Sequence, residues 1–190
     1  MKPITSFIMC ILAFMCSAQK ASDHMMFMGL PLAGSAEYFI PRLEEKGFVK
    51  TDEFESTYSF YGKFANEIVR LTLLASPKTR TICKVIVYFP KKDSWSDLKK
   101  DYFTKKALYR SKYLLNDDFE FFSNPYDEGD GYELQAVSRD KCKYCSFFKD
   151  LYGGIVLEVC PDKCIKISYE DTENMKVAQQ ELESKAFDDI

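Results

Sequence analysis

Five cysteines carry most of the chemistry this chain can offer: Cys83, Cys142, Cys145, Cys160 and Cys164. Cys142-x2-Cys145, a gap of fourteen residues and Cys160-x3-Cys164 come close to the ligand spacing of a zinc ribbon, where four thiolates close a tetrahedral site. The same four residues also suit two disulfides, the expected state in an oxidising compartment, and free thiols are the third alternative. Cys160-Pro161-Asp162-Lys163-Cys164 reads as a tight turn that sets its two thiols opposite each other on neighbouring strands. A preceding hairpin turning at Asp150 to Gly154 brings Cys145 alongside about Cys160, with Cys142 just beyond. All four are therefore expected at one end of a sheet, as disulfides in preference to zinc, and no metal is assigned. A redox Cys-x2-Cys wants its first thiol at a helix N-terminus, whereas Cys142 precedes a strand. Cys83, inside the apolar run Ile82 to Phe89, reads as a small buried hydrophobe.

Histidine informs by its scarcity. The only one, His24, lies near the start of the chain, which removes the base from Ser/His and Cys/His nucleophilic schemes. No catalytic residue is assigned. Neither a glycine-rich phosphate loop nor a dinucleotide fingerprint appears, so no cofactor is implied. The acidic turn Asp127-Glu128-Gly129-Asp130-Gly131 does not follow the spaced order of a calcium-binding EF-hand loop and reads as a solvated turn. A carboxylate-dependent hydrolase is left as the third functional reading.

Binding is the better expectation, and two groups of residues suggest how. From Lys78 to Lys112 the chain carries eleven basic and three acidic residues, and Lys91, Lys92, Lys99, Lys100, Lys105, Lys106, Arg110 and Lys112 could meet a glycan or another anionic ligand. The bland alternative is a solvated helix face paired to the acidic C-terminal segment. The sixteen Phe and twelve Tyr exceed what one buried sheet face needs. Tyr58, Phe60 and Tyr144 are the candidates for an outward aromatic surface that recognises another protein or a sugar.

What surrounds these residues sets the compartment. Lys2, the apolar run Phe7 to Met15 and the small residues Cys16-Ser17-Ala18 lay out a cleaved secretory signal over 1–18, too short to span a membrane. Export to the periplasm or beyond is expected, with no transmembrane segment. Without the signal, 25 basic face 29 acidic residues, which argues against nucleic acid as a partner.

Residues 19–34 read as an extended leader, broken by Gly29-Leu30-Pro31-Leu32-Ala33-Gly34. Ser35 to Gly47 predicts a helix with Pro41 awkward inside it. Strands follow over 54–64, 68–74 and 82–89. Ser94-Trp95-Ser96-Asp97 is a capping-box pattern opening a helix to about Tyr113. A polar loop is expected from Asn116 to Gly131, then strands at 132–138, 143–148, 155–160 and 164–169, and a helix capped by Thr172 that carries Met175, Ala178, Leu182 and Ala186. The fold class is α+β: one domain over 35–190 in two similar halves, 35–93 and 94–190. Each half is a helix plus an antiparallel-sheet unit, arising by tandem duplication, with the helices packed on one sheet face.

Phe27-Met28-Gly29-Leu30-Pro31-Leu32-x-Gly34, Lys46-Gly47-Phe48 and Gly62-Lys63-Phe64-Ala65 resemble a group of small exported proteins from Bacteroidetes. The likeness continues through Ser94-Trp95, Gly129-Asp130-Gly131 and Tyr169-x-Asp171. The duplicated helix-and-sheet plan is similar to the fold of β-lactamase inhibitory proteins. That resemblance implies compartment and architecture rather than an activity. The expected function is an exported, non-enzymatic binding protein that recognises a macromolecule through its sheet face.

Overall fold

The computed structural model describes residues 23–188; the expected signal over 1–18 lies outside the described residues. The described residues open with a two-stranded hairpin, β1 (Met26–Phe27) and β2 (Leu30–Pro31), followed by helix α1 (Ala36–Glu45). Four strands come next: β3 (Val49–Phe54), β4 (Thr57–Phe64), β5 (Glu67–Ala75) and β6 (Ile82–Tyr88). Helix α2 (Trp95–Arg110), strand β7 (Leu114–Phe122) and a short helix α3 (Glu133–Ser138) lead to β8 (Cys142–Lys149), β9 (Gly153–Cys160) and β10 (Cys164–Asp171). Helix α4 (Thr172–Asp188) closes the chain. No helix among the described residues is long and apolar enough to cross a membrane.

All eight long strands join one antiparallel sheet in the order β3-β4-β5-β6-β10-β9-β8-β7. Two meanders thus meet back to back along β6 and β10, each preceded by a helix. Because successive side chains alternate between faces, each register row belongs to one face only. One row runs Tyr58, Leu73, Val85, Tyr169, Ile155, Phe148, and every member is buried. These side chains share a single core with Phe39 and Leu43 of α1 and with Leu98, Tyr102 and Tyr109 of α2. Burial of so continuous an apolar face is the main force holding the fold.

Several elements depart from expectation. Residues 26–31 of the expected extended leader form the β1–β2 hairpin, with Phe27 and Leu32 buried in the core, and β3 is a separate strand ahead of β4. The stretch 114–122 is a strand and not a loop, because Asn116, Asp117 and Asp118 sit on a sheet edge, where charged side chains remain solvated and discourage further pairing. The stretch 133–138 is a helical turn and not a strand, with Ala136 and Val137 buried. At α4, the cap is the Asp171 carboxylate, which accepts from Asn174 N at 2.9 Å, while Thr172 is already helical. Met175 and Leu182 stay largely exposed; α4 is anchored instead by buried Asn174, whose amide donates to Leu32 O and Ile82 O.

Candidate functional site

The aromatic residues chosen from sequence sit on the covered face. Tyr58, Phe60 and Tyr144 are 2%, 0% and 4% exposed, so none presents a surface to a partner. Alternation explains the error: Tyr58 and Phe60 alternate with Thr57 and Ser59, the pattern of an inward apolar row. Tyr144 bonds Glu128 at 3.1 Å, and burial together with that carboxylate raises its phenol pKa.

The opposite face carries a row that crosses all eight strands: Val49, Tyr61, Arg70, Tyr88, Lys166, Glu158, Cys145 and Phe119. Its centre is polar. The Arg70 guanidinium lies 3.9 Å from the Tyr88 ring centroid, and Lys166 Nζ is 2.6 Å from Glu158. Its flanks are apolar and open, with Tyr61 half exposed, Val49 and Ile68 more so, and Phe119 and Phe121 at 45% and 47%. Tyr61, Ile68, Arg70, Tyr88, Lys91 and Cys164 line a cleft of about 250 Å³ on this side. The residues sequence reading missed were therefore one position away, at Tyr61 instead of Phe60.

The basic segment is largely neutralised within the protein. Lys105 lies 2.8 Å from Glu67 and also bonds Asp101, while Lys92 reaches Asp101 at 3.4 Å. Lys106 holds Asp118 and Glu120 together, Lys99 pairs with Glu128, and Lys91 approaches Asp162 at 3.8 Å. Only Lys100, Arg110 and Lys112 of the predicted cluster have no ion pair among the described residues. Among the described residues none of these pairs reaches the acidic C-terminal helix, whose Glu181 accepts from Thr79 and from Lys78 N at the start of the basic segment. Lys105 and Lys106 are each 7% exposed, so their place is structural. Lys106→Ala strips the counter-charge from two carboxylates that remain partly solvated, and is expected to cost about 2 kcal/mol in urea unfolding. A loss below about 1 kcal/mol would return Lys106 to the pool of binding residues.

The cysteines divide. Cys142 and Cys145 are three residues apart on one strand, so their side chains leave on opposite faces and cannot close one tetrahedral site. No cluster of three or more metal-ligating side chains occurs among the described residues. Burial pushes the Cys142 and Cys145 thiols up to about 12. Buried Cys83 donates to Leu74 O at 3.3 Å, and burial pushes it up to about 11. Cys160 and Cys164 alone come together, with sulfurs 3.1 Å apart. In the acidic turn, Asp130 accepts from Asp127 N and Tyr132 N, and Glu133 from Gly129 N, so these carboxylates close their own loop.

An α+β protein with one sheet face packed and the other carrying this open cross-strand row is the class the fold and site define. Comparison with known protein families, curated proteins and solved structures finds no match.

Proposed function

We propose that this is an exported binding protein that recognises another protein through the open sheet face. The observation that carries the reading is the row from Val49 to Phe119, with apolar side chains exposed at both flanks and charged pairs in its middle. Interfaces combine apolar anchors with polar groups in this way, and Tyr, Phe and Arg are enriched in them. The two helix-led meanders meeting along β6 and β10 support an origin by tandem duplication, with the helices gathered on the far face. A glycan- or anion-binding role for the basic segment is weakened by its internal ion pairs. An oxidising compartment accords with the apolar opening of the chain.

Site-specific photocrosslinking tests the reading. A photoreactive phenylalanine at Tyr61 or at Phe119 should give the same discrete protein adduct in a cell-envelope extract, while one at Lys100, on helix α2, gives none. Adduct formation should survive a rise from low to physiological salt, because apolar contact is not screened. Adducts from Lys100 alone, or a steep loss with salt, would shift the role to the basic segment.

A further inference from the structure

We infer that Cys160 and Cys164 form a redox-active dithiol that closes to a cross-strand disulfide by exchange with a disulfide-bearing oxidant, leaving Cys83, Cys142 and Cys145 as thiols. The inference is independent of what the sheet face binds.

Register makes the two residues direct partners on β9 and β10. Opposed residues of an antiparallel pair have Cα atoms about 4.5–5.5 Å apart, inside the range of about 4.4–6.8 Å that a disulfide accepts. The turn between them is short, with Lys163 at φ 61 and its amide bonded to Cys160 O, and it holds the pairing in place. No other cysteine among the described residues qualifies. Cys145 faces Glu158, so Cys160 is its diagonal neighbour, at about 7–8 Å and too far for a bond. Cys142 points to the other face. Cys83 precedes Lys84, which pairs with Glu170 near the far end of β10 from Cys164.

The two sulfurs are placed to react with each other, and both residues are buried, at 5% and 3% exposed. The two sulfurs share one hydrogen bond, and that bond lowers the Cys160 thiol below the ordinary thiol range while raising Cys164. Cys164 lines the cleft of the open face beside Arg70 and Lys91. In the exchange, the Cys160 thiolate attacks one sulfur of the oxidant, forming a mixed disulfide and expelling the first thiolate. Cys164, losing its proton to that leaving group, then attacks Cys160 Sγ and expels the second. Two protein thiols and one small disulfide become one protein disulfide and two small thiols, so atoms and electrons balance. The loop closed has only three intervening residues, so the bond constrains the unfolded chain little, and its use is exchange more than stapling.

The purified protein, reduced and then incubated with oxidised glutathione, supplies the test. Its intact mass should fall by two hydrogens, and not by the four of two disulfides. Trypsin cuts after Lys163, so the bond should appear as two peptides joined through Cys160 and Cys164, with Cys83, Cys142 and Cys145 alkylated after denaturation. Cys164→Ser should trap glutathione on Cys160, one per chain, released by dithiothreitol. In the reduced wild-type protein, alkylation at Cys160 should slow less from pH 7 to pH 6 than the roughly tenfold slowing of an ordinary thiol. No oxidation, a bond involving any other cysteine, no adduct on Cys160, or a tenfold slowing there would overturn the assignment.

Discussion

Asp171→Ala is expected to lower stability by about 4 kcal/mol, a large fraction of what a domain of this size holds. The carboxylate is fully buried and ties three elements together. It accepts from Met25 N at 2.8 Å, from Asn174 N at 2.9 Å, and lies 3.1 Å from His24 Nδ1. Alanine would leave two N–H donors buried without a partner, at about 1–3 kcal/mol each, one of them the capping bond of α4. The leader and α4 would loosen where they meet at Asp171, while Asn174 still bonds Leu32 O and Ile82 O and Phe27 stays in the core. Asp171→Asn keeps a carbonyl oxygen to accept one of these bonds, so its loss should be about half. Urea unfolding with an unchanged slope reads both effects. An alanine variant within about 1 kcal/mol of wild type would mean that water replaces the carboxylate and that the leader is held by apolar contact alone.

Much of this architecture was legible because its strands and helices carry strong local signals. The run Ile82 to Tyr88 and the capping box at Ser94, whose Oγ accepts from Asp97 N at 3.1 Å, needed no tertiary information. What escaped was set by distant partners. Strand β7 is nearly all exposed, with Asn116, Asp117, Asp118 and Glu120 among its leucines and phenylalanines, and it pairs along the edge that β8 offers. Its inward Asp118 and Glu120 are tolerated because Lys106, a full turn or more away along α2 from any sequence neighbour of theirs, reaches down to them. The cysteines show the same limit: spacing suggested convergence of four, but strand parity separates Cys142 from the rest. Parity also decided which tyrosine faces out. Tyr58 and Tyr61 have the same residue type in the same strand, and three positions send one to the core and the other to solvent.

Gly153 is the sharpest case of a residue whose importance only packing reveals. Its backbone has no positive φ to explain a glycine, and it opens β9 opposite Asp171 of β10. A Cβ built there would lie 2.1 Å from Glu170 O and 3.3 Å from Met25 Cβ. The carbonyl cannot retreat cheaply, because Glu170 also pairs with Lys84 on β6, in register and through its side chain. Gly153→Ala should therefore cost at least about 3 kcal/mol, the upper end for overpacking, and should release the leader as well. Gly154→Ala, one position on, meets nothing closer than Phe148 O at 3.9 Å and should stay within about 1 kcal/mol of wild type. Both variants read by thermal and urea unfolding give an internal contrast; equal losses would mean that strand entropy, and not the clash, governs this corner. Combined with Asp171→Ala, the Gly153→Ala loss should be less than additive, since each change undoes the same junction of β9, β10 and the leader. Full additivity would show that Asp171 holds α4 alone and that the leader is secured elsewhere.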